Sequence, residues 1–216
     1  MFIPRFEKFR AVALLVTLLF PLATAFGAAA EEVKIKHDKL ALNGQLALAP
    51  GKSLKDGLVL LVHGTLAHNG MDTIANLATI LNGRGYSTLA INLSLGLDDR
   101  HGMYDCNAPH RHRHLDALDE IGAWFDWLKS KGAGPVVLFG HSRGGNQVAR
   151  FAAERGHPLL SRVVLMAPAT WSEAAGRQSF ERAHGRPLQM ALADADARIK
   201  AGKGGDIMPK VGLLYC

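Results

Sequence analysis

The apolar positions change period along the chain, and each change predicts an element. Val33-Lys34-Ile35-Lys36-His37 alternates apolar and polar residues, the pattern of a half-buried strand. Leu40 to Ala49 predicts a second strand, bent around Asn43-Gly44, a dipeptide that favours tight hairpin turns. Leu58 to Val62 (LVLLV) is continuously apolar, as in strands buried on both faces. Ile74, Leu77 and Leu81 recur at helical spacing, and Gly83 and Gly85 end that helix. Tyr86 to Leu93 predicts the next strand. Leu115, Leu118, Gly122, Phe125 and Leu128 form one face of a helix closed by Lys129, Lys131 and Gly132. Val136 to Phe139 is a further buried strand. Asn146 to Arg155 is helical with Val148, Phe151 and Ala152 inward, and Arg162 to Met166 is another apolar strand. Trp171 to Lys203 is Ala-rich and amphipathic, broken at Gly185-Arg186-Pro187.

Strands alternating with helices require crossover connections. The expected fold class is therefore α/β, a mostly parallel sheet with helices on both faces and an antiparallel start from the N-terminal strands. The polar stretch from Ser94 to Arg113 is long for a loop in a small domain, and such loops are usually functional or disordered.

Composition narrows this reading further. With 216 residues, 48% hydrophobic and 20% charged, the chain is neither disordered, collagen-like nor a coiled coil. It has room for one domain with a core. The first thirty residues stand apart: Arg5, Lys8 and Arg10, then the apolar run Ala11 to Phe20, then Pro21 and the small residues Ala28-Ala29-Ala30 before Glu31. That is the three-part pattern of a secretory signal peptide, and the run is short for an uncleaved anchor. The expected organisation is a signal peptide over 1–30 and a domain over 31–216, exported to a periplasm or beyond, without stable membrane insertion after cleavage. An even cysteine count in an exported chain predicts a disulfide, Cys106 to Cys216. The net charge of +6 is dispersed, with no basic stripe interleaved with aromatics, so nucleic acid is not an expected partner.

Gly140-His141-Ser142-Arg143-Gly144 has the form G-x-S-x-G, directly after the strand Val136–Phe139 and before a helix. That context lifts a serine hydroxyl above the sheet on a sharp strand-to-helix turn. Gly140 and Gly144 leave out side chains that would collide there, and the helix N-terminus favours nearby negative charge. Ser142 is the candidate nucleophile. His63-Gly64 closes the earlier apolar strand, and Thr65 opens the following loop.

With these residues, over roughly Val33 to Ala169, the chain resembles the α/β-hydrolase superfamily, in its lipase, esterase and serine-aminopeptidase-like group. The resemblance implies a serine hydrolase acting on a small-molecule ester, thioester or amide, with no cofactor and no metal. It implies oxyanion donors at the Thr65 and Arg143 backbone N–H groups. His63 would shape the loop and not act as the base. Trp171 onward would be a partial helical cap following a core over 31–170.

The superfamily order is serine, then acid, then histidine. After Ser142 the acids are Glu173, Glu181, Asp194, Asp196 and Asp206, and the histidines are His157 and His184. None follows a convincing late strand, although Val211 to Tyr215 reads as a possible one. The expectation is therefore a C-terminally truncated member lacking the last strands, the acid and the base, with impaired catalysis. A non-catalytic exported binding domain on the same fold is the alternative. The alternate histidines His110, His112 and His114 read as a polar loop at the substrate mouth, not as metal ligands.

Overall fold

The computed structural model describes residues 30–170, 172–208 and 211. Six strands form one sheet: β1 (Glu31–His37), β2 (Leu40–Ala47), β3 (Leu58–Val62), β4 (Thr88–Ile91), β5 (Val136–His141) and β6 (Leu160–Met166). The order across it is β1-β2-β4-β3-β5-β6. β1 pairs with β2 and β2 with β4 antiparallel, whereas β4, β3, β5 and β6 run parallel. The helices are α1 (Asp72–Gly83), α2 (Asp116–Ser130), α3 (Arg143–Glu154), α4 (Glu173–His184) and α5 (Leu188–Lys200).

The helices cover both faces of the sheet, as the alternation of periods predicts. On one face α2 and α3 pack Leu118, Ile121, Phe125, Val148 and Phe151 onto Leu60, Val62, Leu89 and Leu138. The Phe125 and Phe151 rings stack there at 5.4 Å between centroids. On the other face α1 sets Ile74 against Val59, Leu61, Ala90 and Phe139. Every residue of β3 is buried, because both faces of that strand are covered.

The Asn43-Gly44 turn does not exist. Both residues lie inside β2, and the hairpin turns instead at Asp38, which adopts a left-handed φ of 51°. The dipeptide has a packing reason. A Cβ on Gly44 would lie 3.1 Å from Leu89 Cδ1, 3.2 Å from Ala90 O and 3.4 Å from Trp124 Cη2, so glycine spares this crowded stretch of strand a tight contact. Asn43 is buried and spends its amide on the loop beyond β4.

After Met166 the chain builds differently. Ser172 caps α4 by accepting the Ala175 N–H at 3.2 Å, and Gly185 ends it with a φ of 64°. The predicted break at Gly185-Arg186-Pro187 thus separates α4 from α5, and the two helices pack on each other. Trp171 and Gly212–Cys216, hence the possible strand to Tyr215, lie outside the described residues, as does the segment read as a signal peptide up to Ala29. Among the described residues no helix is long and apolar enough to cross a membrane.

Candidate active site

Ser142 sits between β5 and α3 with φ 53° and ψ −121°, a conformation that side chains avoid unless the surroundings impose it. The surroundings do impose it. The Ser142 N–H donates to Met166 O at 3.0 Å, and its carbonyl accepts from Ala169 N–H at 2.8 Å. The bend is therefore pinned to the end of β6. A Cβ on Gly140 would stand 2.5 Å from Gly144 O, and one on Gly144 would stand 2.2 Å from His63 O. Neither position tolerates a side chain without moving backbone. A serine at a helix N-cap commonly gives its hydroxyl to the first turn, but Ser142 makes no such bond, and α3 opens at Arg143 directly behind it.

The loop leaving β3 lies against this bend. A Cβ on Gly64 would be 3.2 Å from Ser142 Cβ and 3.4 Å from His141 Nδ1. His63, Gly64, Thr65, His141 and Ser142 line one cavity of about 190 Å3, with Ala67, Met71 and Ile74 as its apolar wall. His63, Gly64 and Thr65 from one motif and His141 and Ser142 from the other thus share one pocket.

His63 is only 1% exposed and its hydrogen bonds leave one protonation state. Nε2 faces the Leu93 N–H and the Arg100 guanidinium, both at 3.1 Å, and neither can accept. Nδ1 must then carry the proton, and it donates to Gly64 O at 2.8 Å. Burial, first of all, lowers its pKa from 6.5 to about 3, and the charge on Arg100 adds to that. Both ring nitrogens of His63 are thus engaged away from Ser142.

The histidines of the long loop and those after Ser142 make contacts of their own. His114 accepts from Arg143 Nε at 3.1 Å and contacts Asn146 Oδ1 at 2.8 Å. His110 and His112 pack against Tyr104, with ring centroids 4.3 and 5.5 Å from it, so the alternate histidines of the long loop do not converge on a point. His157 accepts from Leu159 N–H and packs on Phe125 beneath α2, away from the elbow. His184 packs on Phe180, Glu173 pairs with Arg177, and Asp194 pairs with Arg198 along exposed helix faces. Cys106 lies in the long loop, and Cys216 is outside the described residues.

Residues that sequence reasoning passed over tie together the loops behind His63. Arg100, 5% exposed, donates from Nε to Leu93 O at 2.8 Å, from Nη1 to Gly102 O at 2.6 Å and from Nη2 to Ala67 O at 2.8 Å. Burial holds its pKa to about 10, which still leaves it charged near neutrality. Its own carbonyl accepts from Asn43 and Asn92. Buried Glu120 accepts the Ser94 N–H and hydroxyl at 2.7 and 2.5 Å, and desolvation raises its pKa. A charged residue in a polar loop reads as solvated, so no local signal marks Arg100.

Compared with known proteins, the family model described as serine aminopeptidase, S33 matches residues 54–199. No curated protein matches the chain. Solved structures with the same fold include Est1E from Butyrivibrio proteoclasticus, 24% identical with a TM-score of 0.54, over 70% of this chain and 56% of that one. The α/β hydrolase GrgF from Penicillium sp. sh18 is 19% identical with a TM-score of 0.56, over 80% of this chain and 55% of its own. The esterase Pf2001 of Pyrococcus furiosus is 17% identical with a TM-score of 0.54, over 74% and 60%. The chain therefore spans little more than half the length of each.

Proposed function

The chain belongs to the serine aminopeptidase S33 family, with the α/β-hydrolase fold, and from that premise we propose that it hydrolyses a small-molecule ester, thioester or amide through Ser142. In this reading Ser142 Oγ attacks the carbonyl carbon, and its proton passes to a base. The carbonyl oxygen becomes an oxyanion facing the Thr65 and Arg143 N–H groups. The leaving group departs with a proton, and water then releases the acyl group from Ser142. The observation that carries the reading is the strained Ser142 bend, sharing a cavity with Thr65.

The base is a separate matter. Among the described residues no histidine hydrogen-bonds to Ser142 Oγ, and His63 is spoken for. Without a base, a triad enzyme keeps only about 10³–10⁴-fold acceleration over water, so turnover by the described arrangement is slow. Export belongs to the same proposal: a mature N-terminus at Glu31 and a Cys106–Cys216 bond would both be read from the intact mass of the exported protein.

A fluorophosphonate probe and a short-chain aryl ester test the reading. Labelling at Ser142, and slow turnover abolished by Ser142→Ala, are the expected results. Turnover indifferent to Ser142→Ala, with no labelling, would leave the second reading, a non-catalytic binding domain, which the lack of a histidine at Ser142 Oγ among the described residues favours.

A further inference from the structure

We infer that Arg100 is a positioning residue for the oxyanion site: it sets the tautomer of His63, and through it the direction of the Thr65 N–H. The inference rests on the hydrolase reading of the Ser142 pocket and extends it to a residue on a different loop.

The chain of contacts is short and each link constrains the next. Arginine cannot accept a hydrogen bond, so its Nη2, at 3.1 Å from His63 Nε2, requires a lone pair there. The Leu93 N–H imposes the same requirement from β4's end. The proton is thereby driven to Nδ1, which donates to Gly64 O. Gly64 O and the Thr65 N–H belong to one peptide unit. That unit is planar and trans, so the two bonds point in opposite directions. Holding Gly64 O toward the buried His63 ring therefore turns the Thr65 N–H away from that ring, and Thr65 lines the cavity it shares with Ser142. Ala67 N–H, at 3.4 Å from the same oxygen, is a weaker second hold.

Arg100 also ties together the strands of loop that must agree. Its donors reach Ala67 O on the β3 loop, Leu93 O past β4 and Gly102 O in its own loop. Four acceptors in fixed directions suit a planar guanidinium and not the single ammonium of lysine. Asn43 and Asn92 in turn grip the Arg100 carbonyl, and Asn92 Oδ1 accepts the Asn69 N–H at 2.7 Å, so the far end of the β3 loop is held to the same cluster. The long polar loop thus has a function in the site that needs no contact with substrate.

The test uses the full chain. Nitrogen-15 NMR of the wild type reads the His63 tautomer directly, and we expect the proton on Nδ1 with no titration between pH 5 and 8. With an aryl acetate, Arg100→Met should lower kcat about 10–100-fold with KM within about twofold, short of the 10²–10³ lost with an oxyanion donor itself. Arg100→Lys should fall between the two and shift the Thr65 amide resonance. A proton on His63 Nε2, or a folded Arg100→Met with unchanged kcat, overturns the inference. If Arg100→Met does not fold, Arg100→Lys and the wild-type tautomer decide it. If wild-type turnover does not respond to Ser142→Ala, the hydrolase reading falls instead, and the His63 tautomer compared between wild type and Arg100→Met still decides whether Arg100 or the Leu93 N–H alone sets it.

Discussion

β3 and β6 flank β5 on opposite sides, and both are apolar strands ending near Ser142, yet they live in different solvents. β3 is buried throughout, with α1 on one face and α2 and α3 on the other. In β6 Val163, Val164 and Leu165 are exposed, on alternating faces. The polar neighbourhoods differ in the same sense. The end of β3 is clamped by His63, Leu93 N–H and Arg100, all buried. The end of β6 meets the site through two backbone bonds at Ser142. The Ser142 bend thus meets a fully covered strand and a closed polar network on its β3 side.

Acid should break the β3 side first and most. Folding keeps His63 neutral: the unfolded imidazole gains a proton near pH 6.5, the folded one only near about 3. The stabilisation is fully present above pH 6.5 and is lost as pH falls toward 3, at roughly 1.4 kcal/mol per pH unit. Across the window that is roughly 4–5 kcal/mol, comparable with the stability of a small domain. Urea midpoints measured from pH 7 to 4 should fall steeply for the wild type and less for His63→Gln. Parallel curves would mean that His63 titrates alike in both states.

Next in size is Leu60→Ala. Leu60 is inaccessible at the centre of β3, so its truncation leaves a cavity that neighbours on two layers cannot fill, at a cost of about 2–5 kcal/mol. Denaturant unfolding measures it. A cost below about 1 kcal/mol would mean that the β3 layer is loosely packed and that the contrast with β6 is overstated.

How far the contrast was legible depends on which contacts are local. LVLLV predicts a strand covered on both faces, and β3 is one, because a continuous apolar run has no face left for water. The G-x-S-x-G string between strand and helix likewise predicts the bend at Ser142, since strand, glycines and helix adjoin in sequence, although the bonds that pin it, to Met166 O and from Ala169 N–H, do not. RVVLM reads the same way as LVLLV and is exposed, because covering belongs to other segments and is not written in the strand. Asn43-Gly44 misleads for a related reason: its pairing as a turn is a local preference, overridden when Trp124 packs on Gly44. Arg100 is invisible because its four acceptors come from three separate stretches of backbone and a histidine 37 residues away.

The smallest effect is the one that tests the comparison most directly. Leu165 is 44% exposed, although α3 packs along β6 on the face of the sheet to which Leu165 belongs. Truncating a half-exposed leucine removes little buried area and opens no closed cavity, so Leu165→Ala should change stability by less than about 1 kcal/mol. Substitution by a charge should be nearly as mild, because Leu165→Lys leaves the ammonium in water with its stem along the strand. The pair of variants separates two states of β6. If both are mild, the strand is an open edge in solution and these apolar side chains add little to what its contacts with β5 and α3 already supply. If Leu165→Ala approaches the cost of Leu60→Ala and Leu165→Lys exceeds it, β6 is covered in solution. The elbow would then be held as firmly on that side as on the other.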